Sequence, residues 1–288
     1  MTNTITTIYG GDPFYTGGQS VIDDLKSSGF TTVVAWTLHI DDQNGDLIFN
    51  DKRLVSQGAY VGDAGWPALF NSLKTGATAI TRIGFCVGSS IAGGNDFQTI
   101  QNLIKDGTGP TNILRRNFSA LKQTLPVLDF IDMDDETNYD HDSLVAFSQM
   151  LYQDLDLHVT FCPYTEQAFW IGCLSALNTQ TPGLVQGFNL QCYAGGSINQ
   201  PAQWVEQIQQ AMGTGTDAAA LVWPGLDSST GEGAGNTPDA MQSRFHGWKA
   251  SPGISGGFVW LYDHIQNDLP GTGYTTASYA QALTQGLS

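Results

Sequence analysis

The chain has 288 residues, 41% of them hydrophobic, and a formal net charge of −16. That is long enough for one large α/β domain or two modest ones, and apolar enough to bury a substantial core. The acidic balance argues against nucleic acid or an anionic membrane as partner and leaves a neutral or cationic ligand.

Only 13% of the residues are charged, so the surface must rely on Ser, Thr, Asn, Gln and Gly, a composition that favours a secreted or extracellular setting. The opening MTNTITTIYGG nevertheless has neither the basic start nor the apolar centre of a signal peptide. No apolar run approaches the roughly 18 residues of a membrane span. Three of the four cysteines, Cys86, Cys162 and Cys192, sit in apolar strand-like runs, and Cys173 lies in a helical one. Without CxxC spacing they read as small buried hydrophobes, with no disulfide framework.

Taken in chain order, β-branched apolar runs alternate with amphipathic ones. The expected strands are ITTIYG (5–10), TTVVAWTL (31–38), ITRIGFCVG (80–88), VLDFIDMD (127–134), LHVTFCP (157–163), GFNLQCY (187–193), AAALVWP (218–224) and GGFVWLY (256–262). Helix-like segments such as SVIDDLKSSG, NILRRNFSALKQTL, SLVAFSQMLYQDL and AQWVEQIQQAM lie between them, and SYAQALTQGL closes the chain. Eight strands, each followed by a helix, predict a (β/α)8 TIM barrel occupying residues 1–288 as a single domain. A doubly wound open sheet is the competing arrangement, but no glycine fingerprint follows the first strand. Two additions are expected at loop ends: a hairpin in DDQNGDLIFND, marked by Asn44-Gly45, and an extra helix in DFQTIQNLIKDGTGPTN.

The fourth strand is anomalous. VLDFIDMDDETNYDHD carries Asp129, Asp132, Asp134 and Glu136 within an apolar run, although burying carboxylates is costly unless they are paired, hydrogen-bonded or protonated. Alternation puts Asp132, Asp134 and Glu136 on one face at steps of about 6–7 Å, with Ile131 and Met133 on the other. At the C-terminal end of a barrel strand that face opens on the mouth, where active sites of this architecture lie. Three such acids cannot all ionise easily, so one retains a proton and becomes a general acid.

Asp129-x-x-Asp132-x-Asp134-x-Glu136 resembles the DxxDxDxE signature of glycoside hydrolase family 18, the chitinases and endo-β-N-acetylglucosaminidases. Gln191-x-Tyr193 closing the sixth strand, Trp260 in the eighth and Tyr9 in the first are similar to positions used across that family's barrel. The third strand departs, with Cys86-Val87-Gly88-Ser89 where SxGG is common, and Phe130 stands where glycine usually follows the first aspartate. Asp135 resembles the DxDDE of the endo-β-N-acetylglucosaminidase branch.

The resemblance implies hydrolysis of β-1,4 bonds next to N-acetylglucosamine, in a GlcNAc-containing oligo- or polysaccharide, with retention and without cofactor or metal. Such mechanisms use the substrate's own acetamido group in place of a carboxylate nucleophile. Glu136 is implied as the acid/base, Asp134 as the group holding the acetamido N–H, Asp132 as sharing a proton with Asp134, and Tyr193 as donor to the acetamido oxygen. Trp260 is implied as the sugar platform, with Gln191, Tyr9 and Asp129 as substrate-binding residues. A monomer is expected.

Other readings of the same residues were structural capping at a barrel rim and a cation held by Asp132, Asp134, Asp135, Glu136, Asp140 and Asp142. The EF-hand pattern fails because Thr137 occupies the place of the turn glycine. Trp36 and Trp223, near strand ends, line either the cleft or the core, whereas Trp66, Trp170, Trp204 and Trp248 belong to helices. Gly253-Ile254-Ser255-Gly256-Gly257 spells GxSxG, but its strand follows rather than precedes it. Gly231-Glu232-Gly233-Ala234-Gly235 reads as a mobile barrel loop. The five histidines share no spacing suited to zinc. A non-catalytic sugar-binding barrel is the rival from another functional class, and the intact Glu136 counts against it.

Overall fold

Side chains alternate between the two faces of each strand, and the structure buries both. In the computed structural model, which describes residues 4–89, 95–229 and 235–288, eleven strands form one sheet. They are β1 (Ile5–Gly10), β2 (Thr32–Ile40), β3 (Leu47–Phe49), β4 (Lys52–Ser56), β5 (Ala59–Tyr60), β6 (Arg82–Gly88), β7 (Phe130–Asp134), β8 (His158–Phe161), β9 (Val185–Gln191), β10 (Val222–Asp227) and β11 (Gly256–Trp260). Strands β1, β2 and β6 to β11 pair in parallel around a ring that the β1–β2 pairing closes. This is a (β/α)8 barrel.

Outward side chains such as Ile83, Phe85, Ile131, Met133, Phe161 and Leu190 pack under the helices in one continuous core. The helices answer with apolar stripes: Leu114, Phe118 and Leu121 recur on one face of Ile113–Thr124 and are all buried. Asn112 starts that helix by accepting the Leu114 and Arg115 amides, and Asp140 does the same for the Ser143 amide ahead of His141–Leu155. Inward side chains Tyr9, Val34, Cys86, Phe130, Tyr193 and Phe258 form a second cluster inside the barrel.

The lower, N-terminal end of that interior is plugged. The Arg82 guanidinium lies 4.8 Å from the Phe130 ring centre and 5.3 Å from that of Trp223, and it also binds the Gln186 side chain. The Trp223 indole crosses Gly187 and Gly256, where any Cβ would fall within 2.6 Å of the ring. Trp223 thus belongs to the plug and not to the cleft.

Two expected elements differ. Ala218–Leu221 is a short helix and β10 begins at Val222. Three alanines favour helix, Asp217 caps the turn through the Ala220 amide, and the Trp223 indole N–H holds the Ala220 carbonyl. The hairpin forms where expected, with the Asn44 side chain accepting the Asp46 amide and Gly45 at φ 72°, but it continues through β4 and β5 into a longer antiparallel excursion. The extra helix is Asp96–Ile104. Nearly all of the glycine-rich stretch 231–235 lies outside the described residues. All four cysteines are buried free thiols. No helix among the described residues is long and apolar enough to cross a membrane.

Candidate active site

The strand alternation sends Phe130, Asp132 and Asp134 inward from β7, in order from plug to mouth, and Glu136 follows just beyond the strand. Asp132 is fully buried. Its Oδ2 accepts the Tyr9 hydroxyl at 2.7 Å, and its Oδ1 accepts the Asn189 amide at 2.9 Å together with the Thr160 hydroxyl. Burial raises its pKa and these donors oppose the rise.

Asp134, 3% exposed, turns the other way, toward Glu136. The Gln191 side-chain amide ties the two acids together, donating to Asp134 Oδ1 at 3.0 Å and Glu136 Oε1 at 3.1 Å. Burial pushes Asp134 well above the usual carboxylate range, with the charges of Glu136 and Asp132 and a hydrogen bond to Glu136 adding to it. Asp134 so enclosed favours its protonated form. On the other side Gly88 of β6 pairs with Asp134. It has φ 94°, and a Cβ there would lie 2.5 Å from the Asp134 carbonyl oxygen, so only glycine fits.

The aromatic residues complete the mouth. Tyr193 is 8% exposed and lies nearly parallel to Trp260, with ring centres 5.8 Å apart and an interplanar angle of 21°. Burial first, then the negative neighbours Cys162, Asp134, Asp227 and Glu136, raise its phenol pKa well above the ordinary value, so it stays a neutral donor. Trp260 is partly exposed, with Trp36 edge-on to it at 4.7 Å. Cys86 and Cys162 fill the wall, with Cys86 Sγ 3.9 Å from Asp134 Oδ2; burial and the nearby aspartates keep both as thiols.

Asp132, Asp134, Glu136, Gln191, Tyr193, Trp260 and Tyr9 therefore converge, and Asp129 does not. Asp129 sits below the start of β7, where its Oδ2 accepts the Ile83 amide at 2.7 Å and pairs with Lys74. Its odd spacing from Asp132 and its position at the lower end set it apart from Asp134 and Glu136. Tyr9, expected to touch substrate, is fully buried beneath Asp132, and Gln191 serves the acids rather than the open cleft. Both are in contact with the acids.

Asp134 being turned to Glu136 also leaves Asp132 with Tyr9, Thr160 and Asn189 in place of the shared proton the resemblance implied. Asp135 points into its own loop, where it accepts the Thr137, Asn138 and Tyr139 amides. Asp140 caps a helix, Asp142 pairs with His141, and no group of three or more His, Cys, Asp or Glu suited to a metal occurs among the described residues. Residues that no motif marked are Thr160 and Asn189 under Asp132, and Asp227. The last lies beside Trp260 in the β10–β11 register and accepts His264 Nδ1 at 3.0 Å. Inward alternation from β8, β9 and β10 was the available signal for all three.

The same architecture recurs in solved structures. A fungal endo-β-N-acetylglucosaminidase from glycosyl hydrolase family 18 is 20% identical, with a TM-score of 0.67 and 98% of each chain covered. The chain has a family 18-like fold. The catalytic domain of a hyperthermophilic chitinase from Pyrococcus furiosus is 10% identical, with a TM-score of 0.69 over 99% of this chain and 95% of that one. The catalytic domain of a family GH18 chitinase from the fern Peteris ryukyuensis is 17% identical, with a TM-score of 0.60 over 98% and 99%. No sequence-family model matches the chain, and no curated protein matches it significantly.

Proposed function

We propose that the chain is a retaining glycoside hydrolase that cleaves β-1,4 bonds next to N-acetylglucosamine by substrate-assisted catalysis. The observation that carries this reading is the linked trio Asp134, Glu136 and Gln191 at the mouth, beside Tyr193 and the open face of Trp260. The acetamido oxygen of the sugar on Trp260 attacks the anomeric carbon while the glycosidic C–O bond breaks and Glu136 gives its proton to the leaving oxygen. Asp134 accepts the acetamido N–H and offsets the charge of the oxazolinium ion. Tyr193 donates to the acetamido oxygen. Water then adds to the anomeric carbon, Glu136 takes its proton, and the acetamido group is restored with retention.

The chitobiose core of N-glycans is the second reading of the substrate. The likeness to the fungal endo-β-N-acetylglucosaminidase favours it. Asp135 lends it no support through a substrate contact, because that carboxylate is engaged with its own loop. Incubation with chitooligosaccharides and with a high-mannose glycoprotein, read by mass spectrometry, separates the two: short oligomers from the first, free glycan from the second. Release of neither would overturn the catalytic reading and favour a sugar-binding barrel. Efficient hydrolysis of a glucan lacking N-acetyl groups would contradict neighbouring-group participation.

A further inference from the structure

Asp132 is the most enclosed acid of the three, yet its surroundings are built for an anion. Oδ2 receives a phenol hydroxyl from β1, and Oδ1 receives a threonine hydroxyl from β8 and a carboxamide N–H from β9. A hydroxyl can reverse and accept, but the Asn189 NH2 only donates; it reaches Thr160 Oγ1 as well, at 3.4 Å. A protonated Asp132 would have to turn the Tyr9 or Thr160 hydroxyl from donor to acceptor. Three donors converging on one carboxylate favour its charged form.

We infer that Thr160 and Asn189 are positioning residues that hold Asp132 as the ionised member of the acid trio, so that the mobile proton belongs to Asp134 and Glu136. The inference rests on the function proposed above and adds two residues to it.

The other groups around Asp132 agree. From β6, Arg82 stands nearer the plug and attracts Asp132, and the Cys86 thiol beside it stays protonated. From β8, the Cys162 thiol is likewise neutral, and from β1 Tyr9 keeps its proton because burial and Asp132 raise its pKa. The one opposing charge is Asp134 on the same strand. Asp134 has turned to Gln191 and Glu136, where the hydrogen bond between the acids needs the proton that Asp132 does not hold. Asp132 then acts as a fixed negative charge beneath the couple, raising its proton affinity without touching substrate.

The test pairs an activity measurement with one independent of activity. Thr160→Val and Asn189→Leu each remove one donor, so Asp132 competes for the proton. The acid limb of the kcat/KM profile should move up by roughly one pH unit, with kcat reduced and KM little changed. Thr160→Ser, which keeps the hydroxyl, should restore the profile. A purely packing role would instead lower thermal stability and leave the limb in place, which would overturn the inference.

Carbon-13 NMR of the aspartate carboxyl carbons needs no turnover. The wild-type Asp132 resonance should stand at its ionised position near neutrality, and it should titrate at higher pH in Thr160→Val. A protonated Asp132 in the wild-type protein near neutrality overturns the inference whether or not the protein hydrolyses sugar. A correct NMR result with no turnover instead sinks the functional reading alone.

Discussion

The two ends of β7 carry the same side chain in opposite circumstances. Below the strand Asp129 is about one-third exposed, faces Lys74, and accepts the Ile83 amide, so its charge is solvated and matched. At the top Asp134 is nearly sealed, has no cation beside it, and faces a second carboxyl. One arrangement contributes to holding strands together. The other costs stability and favours a protonated carboxyl at the mouth. Barrel enzymes divide in the same way, with stability at the lower face and chemistry at the upper one.

Substitutions should widen or erase this contrast. The largest effect is expected at the mouth: Glu136→Gln should lower kcat on a chitooligosaccharide by about 10³–10⁴-fold or more while leaving the dissociation constant, measured by calorimetry, nearly unchanged. Near-normal turnover would remove Glu136 from the acid role. Asp134→Asn should cost roughly two to three orders of magnitude in kcat, and it should also raise the melting temperature at neutral pH. The sign follows from linkage. A carboxyl whose folded pKa lies above the unfolded value binds more protons when folded, so stability falls as pH rises from the unfolded pKa through the folded one. Asparagine abolishes that loss, and the gain in melting temperature should vanish in acid.

Tyr193→Phe removes one donor to the acetamido group and should reduce kcat about tenfold to a hundredfold, with circular dichroism unchanged. At the lower end the pattern should invert. Asp129→Ala should cost roughly 1 kcal/mol in urea unfolding, the partly exposed ion pair contributing little beyond the lost amide bond, and kcat should not move. A drop in kcat comparable to that of Asp134→Asn would erase the contrast. The smallest effect concerns His264, whose pKa the Asp227 hydrogen bond raises against the opposing effect of burial. Its pairing should stabilise the fold fully below about pH 6.5 and fade as pH rises through the folded pKa. The corresponding slope in melting temperature should disappear in Asp227→Asn.

The barrel was legible because its strands are β-branched runs of the right number and order, and seven of the eight began and ended close to where expected. AAALVWP misled because its alanines carry no face: helix propensity and the Asp217 cap decided that half, and only the Trp223 end joined the sheet. The motif residues were legible as letters, but roles within it depended on parity and depth. Asp129 lies an odd number of positions from Asp132, which already placed it on another face. Tyr9 and Gln191 were expected as substrate-binding residues and are found against the acids, because whether a side chain faces the open cleft or the acid beneath it depends on a few ångströms of depth. Thr160 and Asn189 belong to no pattern, since an isolated threonine or asparagine in a strand has many ordinary explanations until its partner is visible.

The close approach of Trp36, Tyr193 and Trp260 at the open end has an optical consequence. Trp66, Trp170, Trp204 and Trp223 are buried and Trp248 belongs to the helix Pro238–Ala250, so a guest settling on Trp260 would chiefly dry the indole pair it forms with Trp36. Its emission should shift toward the blue as the cleft fills, giving the molecule a built-in gauge of occupancy that works with a dead catalyst and an unlabelled sugar.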